Sequence, residues 1–331
     1  MLPLVRHIGQ VKEALQNPAI APITLHTFDS YLESIALALP EPLRPDSASY
    51  VDPNFFWVAT SPNNARLLLH QHNLSPRCTP EERANALANC ASAARGTALL
   101  IRRSFQAPPS IPDPYNNPAP PWDQRVRSTA SSLLCTHLWR CILLLSLTLD
   151  FNAALICLRV SSTIGPLRKI NTACGRNLSF FLDRLAERIH ASQGRRPQPE
   201  ADEEMLAYAS SDMQADPHNA WIWAADDVTA QEYSPETSSA AQDQPAFSSP
   251  TITHPSSAAL TDAEAQDWGG WQRVEALLTG LLNEQLQQQQ HQQQHGQRHG
   301  QQTSLPPVTS DPQTTQFGPG GSDRISIANI I

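Results

Sequence analysis

The chain has 331 residues, 40% of them hydrophobic, with 23 Lys/Arg against 31 Asp/Glu and a formal net charge of −8. That balance argues against a nucleic-acid surface, because affinity for phosphates comes largely from neutralising them with Lys and Arg. The longest mostly apolar run, Cys141 to Leu149, is nine residues between Arg140 and Asp150, against about 20 for a bilayer span, so no membrane insertion is expected.

Helical periodicity begins at once, with Leu4, Ile8, Val11 and Leu15, and stops at Asn17-Pro18. The apolar face opening the chain points to an N-terminal edge cut from a longer domain. Leu25, Phe28, Leu32, Ile35 and Leu39 repeat as 3-4-3-4 and end at Pro40, and a third pattern runs from about Pro53 to His72. The fourth opens on Thr-Pro-Glu-Glu, where Thr79 can cap, Pro80 fits the first turn and Glu82 closes a capping box. It continues to about Phe105, with small residues at Ala84, Ala86, Ala91 and Ala94 that allow close helix contact. Seven prolines between Pro108 and Pro121 make a stiff connector over 107–124.

Three helical patterns follow with a single proline among them: Ser128 to Leu149, Asp150 to Ile164 and Pro166 to Ala191. The first is apolar nearly all round, as expected of a helix buried by protein. Asp150 can cap the second, and Gly165 with Pro166 marks the break before the third. The third repeats Leu167, Ile170, Cys174, Leu178, Phe181, Leu185 and Ile189, a spacing that only a 3.6-residue period gives. Leu143, Leu144, Leu155, Leu178 and Phe181 are the expected deep core. No strand pair, hairpin or glycine-rich phosphate loop is visible, so residues 1–193 should form an all-α, multi-helix domain.

The composition then changes. Residues 200–331 carry 18 Asp/Glu and 3 Lys/Arg, whereas residues 129–199 carry 3 and 9. One short helix from Glu203 to Met213 should dock on the core. The rest of 194–261 is acidic and poor in apolar residues, and is expected to be mostly disordered. An amphipathic helix is expected over 262–290, with Trp271, Val274, Leu278, Leu281 and Gln285 on one face. It could bind a partner or a second copy of the chain. Residues 291–331 close the chain as a Gln/His-rich disordered tail.

The six cysteines, Cys78, Cys90, Cys135, Cys141, Cys157 and Cys174, are separated by 12, 45, 6, 16 and 17 positions. Structural zinc in a small module needs closely spaced ligands, so no metal site is expected. Thiols on apolar helices suit a reducing compartment, and no secretory signal is read at the N-terminus. His291, His295 and His299 would align on a helix, yet histidines scattered through a glutamine tract arise by codon drift. His70 and His72 lack a nucleophile motif beside them and are expected to cap or flank a helix end. Arg168, Lys169, Arg176, Arg184 and Arg188 should form a solvated face or meet the acidic tail. Within the acidic stretch Asp212–Asp227, Trp221 and Trp223 read equally as anchors of an activation segment or as side chains docked on the core.

Several phrases resemble the regulatory (middle homology, or fungal-specific transcription factor) region of fungal binuclear zinc-cluster transcription factors. They are Leu-Trp-Arg-Cys (Leu138–Cys141), the run Leu167–Phe181 and the run Asp202–Ser210. The opening Leu4–Val11, Ala65–Pro76 and the terminal Arg324–Ile331 resemble it too. The resemblance implies an all-α regulatory domain, a nuclear location and a role in RNA polymerase II transcription. It implies partners in the transcriptional machinery or among family members, a homodimer included. The family's DNA-binding module uses six closely spaced cysteines to hold two zinc ions, a pattern absent from this sequence. Without that module no cofactor and no tight direct DNA binding are expected of this chain, and the lack of a nucleophile motif, paired carboxylates or a cofactor fingerprint argues against catalysis. The alternative is a helical interaction module, a truncated regulator that modulates full-length relatives without binding DNA.

Overall fold

The computed structural model describes residues 13–17, 19–106, 120–192, 198–210 and 268–302, with backbone alone from 291. The described residues form nine α-helices and short 3₁₀ turns, with no strand among them. In chain order these are α1 Pro22–Leu37, α2 Phe56–His72, α3 Pro80–Arg103, α4 Trp122–Ser128 and α5 Ser132–Leu147, then α6 Phe151–Ile164, α7 Lys169–Ala191, α8 Glu203–Ala209 and α9 Gly270–Gln302. The chain divides into two units, Met1–Leu286 and Gln287–Ile331. In the second, residues 287–302 are helical.

The hydrophobic core is built around α5. All fourteen residues from Leu134 to Leu147 are buried, and α3, α6, α7 and α8 pack around this helix. At about 1.5–3 kcal/mol for each large apolar side chain removed from water, these contacts dominate the stability of the fold. Leu143, Leu144, Leu178 and Phe181 are fully buried as expected. Leu155 is only half-buried, a correction: it lies at the edge of the cluster rather than inside it. A second, smaller cluster joins Leu25, Phe28 and Leu32 of α1 to Leu69 of α2.

Local chemistry sets the ends of the helices. Thr79 Oγ1 accepts from the Glu82 N–H at 3.3 Å, and Glu82 Oε2 accepts from the Thr79 N–H at 2.8 Å, the reciprocal box the sequence calls for. Asp150 caps α6 through the Ala153 N–H at 3.3 Å and also holds Arg95 at 2.7 Å. Buried Asn171 closes the far end of α6, donating to the Ser161 and Gly165 carbonyls at 2.9 and 2.8 Å.

Several boundaries differ from the sequence reading. The third central helix, expected from Pro166, starts at Lys169 after a 3₁₀ turn over Gly165–Leu167, and Leu167 is exposed. The helix expected from Ser128 breaks at residues 129–131, and α4 and α5 meet at 114°. Ser131 starts α5 by capping the Leu134 N–H at 3.2 Å, while Arg168 donates to the Ala130 carbonyl at 2.8 Å. Ser128, Thr129, Ser131 and Ser132 crowd the break, and the apolar run begins only at Leu133. The connector expected over 107–124 already contains the start of α4, and residues 107–119 lie outside the described residues.

Pro62 sits inside α2, where its missing N–H leaves the Val58 carbonyl without its helical donor. The Ser61 hydroxyl donates to that carbonyl at 3.0 Å. Arg103 secures the loop before α2, donating to the Ser49 and Arg44 carbonyls at 2.8 Å each and to that of Pro42. No single helix among the described residues is long and apolar enough to cross a membrane.

Candidate functional site: the helices flanking the acidic segment

Residues 211–267 hold ten Asp/Glu and no Lys or Arg, with Trp221, Trp223, Tyr233 and Phe247 among them. They lie outside the described residues, so the expectations for Trp221, Trp223 and the acidic stretch fall there too. What the structure describes is the pair of helices on either side.

On the N-terminal side stands α8, shorter than the helix expected over Glu203–Met213. Asp202 caps it by accepting from the Glu204 and Met205 N–H groups at 2.9 and 3.2 Å. Met205, Leu206 and Ala209 are buried against the core. Gln71 of α2 donates to the Ala209 carbonyl at 2.7 Å, satisfying the end of the helix. Two arginines clamp the outer face: Arg188 of α7 pairs with Asp202 at 2.8 Å and with Glu204, and Arg83 of α3 with Glu203 at 2.9 Å. The basic face read on α7 therefore meets the first carboxylates of the acidic region at Arg188. Arg184 instead pairs with Glu187 on its own helix at 3.0 Å.

On the C-terminal side stands α9. Trp268 enters a notch on α7 at Gly175, where a Cβ would lie 2.4 Å from the Trp268 Cη2 atom. Only glycine fits beneath the indole. Gly269 and Gly270, at φ +80° and +67°, turn the chain sharply from this anchor into the helix. Val274, Leu278 and Leu281 are buried behind it, and Trp271 meets Trp268 edge to face at 5.6 Å. Arg273 reaches Asp183 of α7 at 2.8 Å, Glu284 reaches His190 at 3.0 Å, and Gln285 donates to the Leu149 carbonyl at 3.2 Å. The helix expected over 262–290 thus begins at Gly270, residues 262–267 being outside the described residues. Its apolar face is laid on this chain's own core. The sequence face of Val274, Leu278 and Leu281 is the buried one, but the main anchor, Trp268, lies outside that repeat.

The remaining candidates resolve into packing. His70 Nε2 lies 2.7 Å from Asp29 Oδ2, and Arg66 Nε lies 2.9 Å from Oδ1, stapling α1 to α2. Burial raises the Asp29 carboxyl, but the hydrogen bonds from His70 and Arg66 outweigh it and hold the group below its ordinary value. His72 Nε2 lies 2.6 Å from the Asn17 carbonyl, at a helix end as expected. The side chains of His291, His295 and His299 lie outside the description.

A cluster the sequence did not reveal sits in the centre of the core. His137 Nε2 lies 3.0 Å from Thr97 Oγ1 and 3.6 Å from Cys141 Sγ. Burial raises the Cys141 thiol, yet hydrogen bonding by Cys157 and the neighbouring His137 imidazole bring it below the ordinary range. Hydrogen bonding to Cys141 and burial push Cys157 well above it. Thr97, His137, Cys141 and Cys157 are all at 0% exposure, so no substrate reaches this Cys–His pair. Position 137 falls four residues before Cys141 on one helix face, the only sequence cue. All six cysteines are free and buried, and no cluster of three metal-ligating side chains occurs among the described residues.

No protein-family model, curated protein or solved structure matches the chain.

Proposed function

We propose that the chain is the regulatory portion of a nuclear transcription regulator of the zinc-cluster class, acting in RNA polymerase II transcription without a zinc cluster of its own. In this reading a helical body presents the acidic segment 211–267 to protein partners in the transcriptional machinery. The observation that carries it is the docking of both flanks. Met205, Leu206 and Ala209 before the segment, and Trp268, Val274, Leu278 and Leu281 after it, are buried in one core. Ten carboxylates with no compensating cation, surrounding isolated aromatics, give the composition of an activation segment. The resemblance at Leu138–Cys141, Leu167–Phe181 and Asp202–Ser210 supports the same class.

In this reading Trp221 and Trp223 supply the contact area for the partner, since tryptophan is enriched among the residues that carry binding energy. Fusing the full chain to an unrelated DNA-binding domain should raise reporter transcription. Trp221→Ala with Trp223→Ala should remove most of that gain without lowering the melting temperature. A silent fusion, or a double variant that destabilises the helical core, would refute this reading.

A further inference from the structure

We propose that α9 is a detachable latch: the surface of α7 around Gly175, Asp183 and His190 is a helix-recognition groove whose resident ligand is this chain's own Trp268–Gln285 segment. The inference does not depend on whether residues 211–267 activate transcription.

Four observations carry it. First, the contact has the form of an amphipathic helix laid into a groove, with Val274, Leu278 and Leu281 at i, i+4 and i+7 and a tryptophan anchor before them. The opposite face, Gln272, Glu275, Ala276, Thr279 and Asn283, is exposed. Second, the fit is keyed. The indole occupies space that any side chain at position 175 would fill, so the groove reads one shape at one register.

Third, the attachment is shallow beside that of a core helix. Every residue of α5 from Leu134 to Leu147 is buried, whereas α9 buries only Val274, Leu278 and Leu281 up to residue 286. Its ion pairs lie at the rim, with Arg273 and Asp183 side chains 48% and 39% exposed, and such pairs contribute little. Fourth, residues 211–267 separate α8 from α9, and this covalent connection raises the local concentration of α9 at its groove. A partner helix with the same anchor spacing would have to outcompete that tethered copy.

The test uses the full chain with a site-specific protease sequence inserted between Pro245 and Ala246, and a fluorescent peptide of residues 266–290. The intact protein should exclude the peptide. After cleavage, the C-terminal fragment should leave on dilution and the peptide should take its place, while the remaining body keeps a cooperative melt. The peptide carrying Trp268→Ala should bind at least about tenfold more weakly; because that change is in the peptide, folding of the protein cannot explain it. The proposal is overturned if the cleaved fragment resists displacement by excess peptide or if its departure unfolds the body. Equal binding of the peptide to intact and cleaved protein would also overturn it, as would equal binding of the Trp268→Ala peptide.

Discussion

Replacing Gly175 by Ala separates the stability of α7 from the docking of α9. The added Cβ would stand 2.4 Å from Trp268 Cη2, well inside the roughly 3.5–4.0 Å of a relaxed carbon contact. The indole must therefore retreat by about 1 Å or more, and Trp271, packed against it at 5.6 Å, limits where it can go. Overpacking of this kind costs about 1–3 kcal/mol. The same change removes a glycine from a helix interior, which stabilises α7 by about 0.5–1 kcal/mol. The two effects fall on different elements. Hydrogen exchange should show α9 amides between Val274 and Gln285 exchanging about 5- to 150-fold faster, the conversion of 1–3 kcal/mol at 1.4 per decade. Amides of α5 should be unchanged or slower. Unaltered α9 exchange, or a parallel loss of protection in α5, would show that the Gly175 notch does not hold the helix.

Phe181→Ala should lower global stability by about 3–5 kcal/mol in denaturant unfolding, since the ring is fully buried beside α5; Leu155→Ala, at the half-buried edge, should cost distinctly less. Because His70 and Arg66 hold the Asp29 carboxyl below its ordinary value, its contribution should be fully present above about pH 4 and lost as pH falls through the depressed folded-state value. Acid titration of Asp29→Asn should lack that component, and an unchanged acid slope would refute the staple.

The features legible in the sequence were local ones. The Thr79–Glu82 box and the Asp150 cap need only neighbouring residues, and both formed as read. The long apolar repeat from Ile170 to Ile189 marks the buried face of α7 for the same reason. What escaped depends on approaches between distant segments. Nothing periodic links Gly175 to Trp268, 93 positions later, because a notch is defined by the absence of a side chain. The His137–Thr97 and His70–Asp29 pairs join helices whose order in space no single pattern encodes. Leu155 continues an apolar run, yet its depth depends on where neighbouring helices end. The break at residues 129–131 falls in the run Ser128–Ser132, where three serines offer capping positions and only the structure shows that Ser131 is the one used.

Hydrogen exchange on the unmodified full chain tests most directly whether one helical body holds the acidic segment from both ends. Amides of Met205–Ala209 and of Val274–Gln285 should both exchange more slowly than in isolated peptides of the same sequence. Adding excess free 266–290 peptide to chain cleaved within 211–267 should abolish protection of the second set only. Peptide-like exchange of Val274–Gln285 in the intact chain, with Met205–Ala209 still protected, would contradict anchoring at the second end.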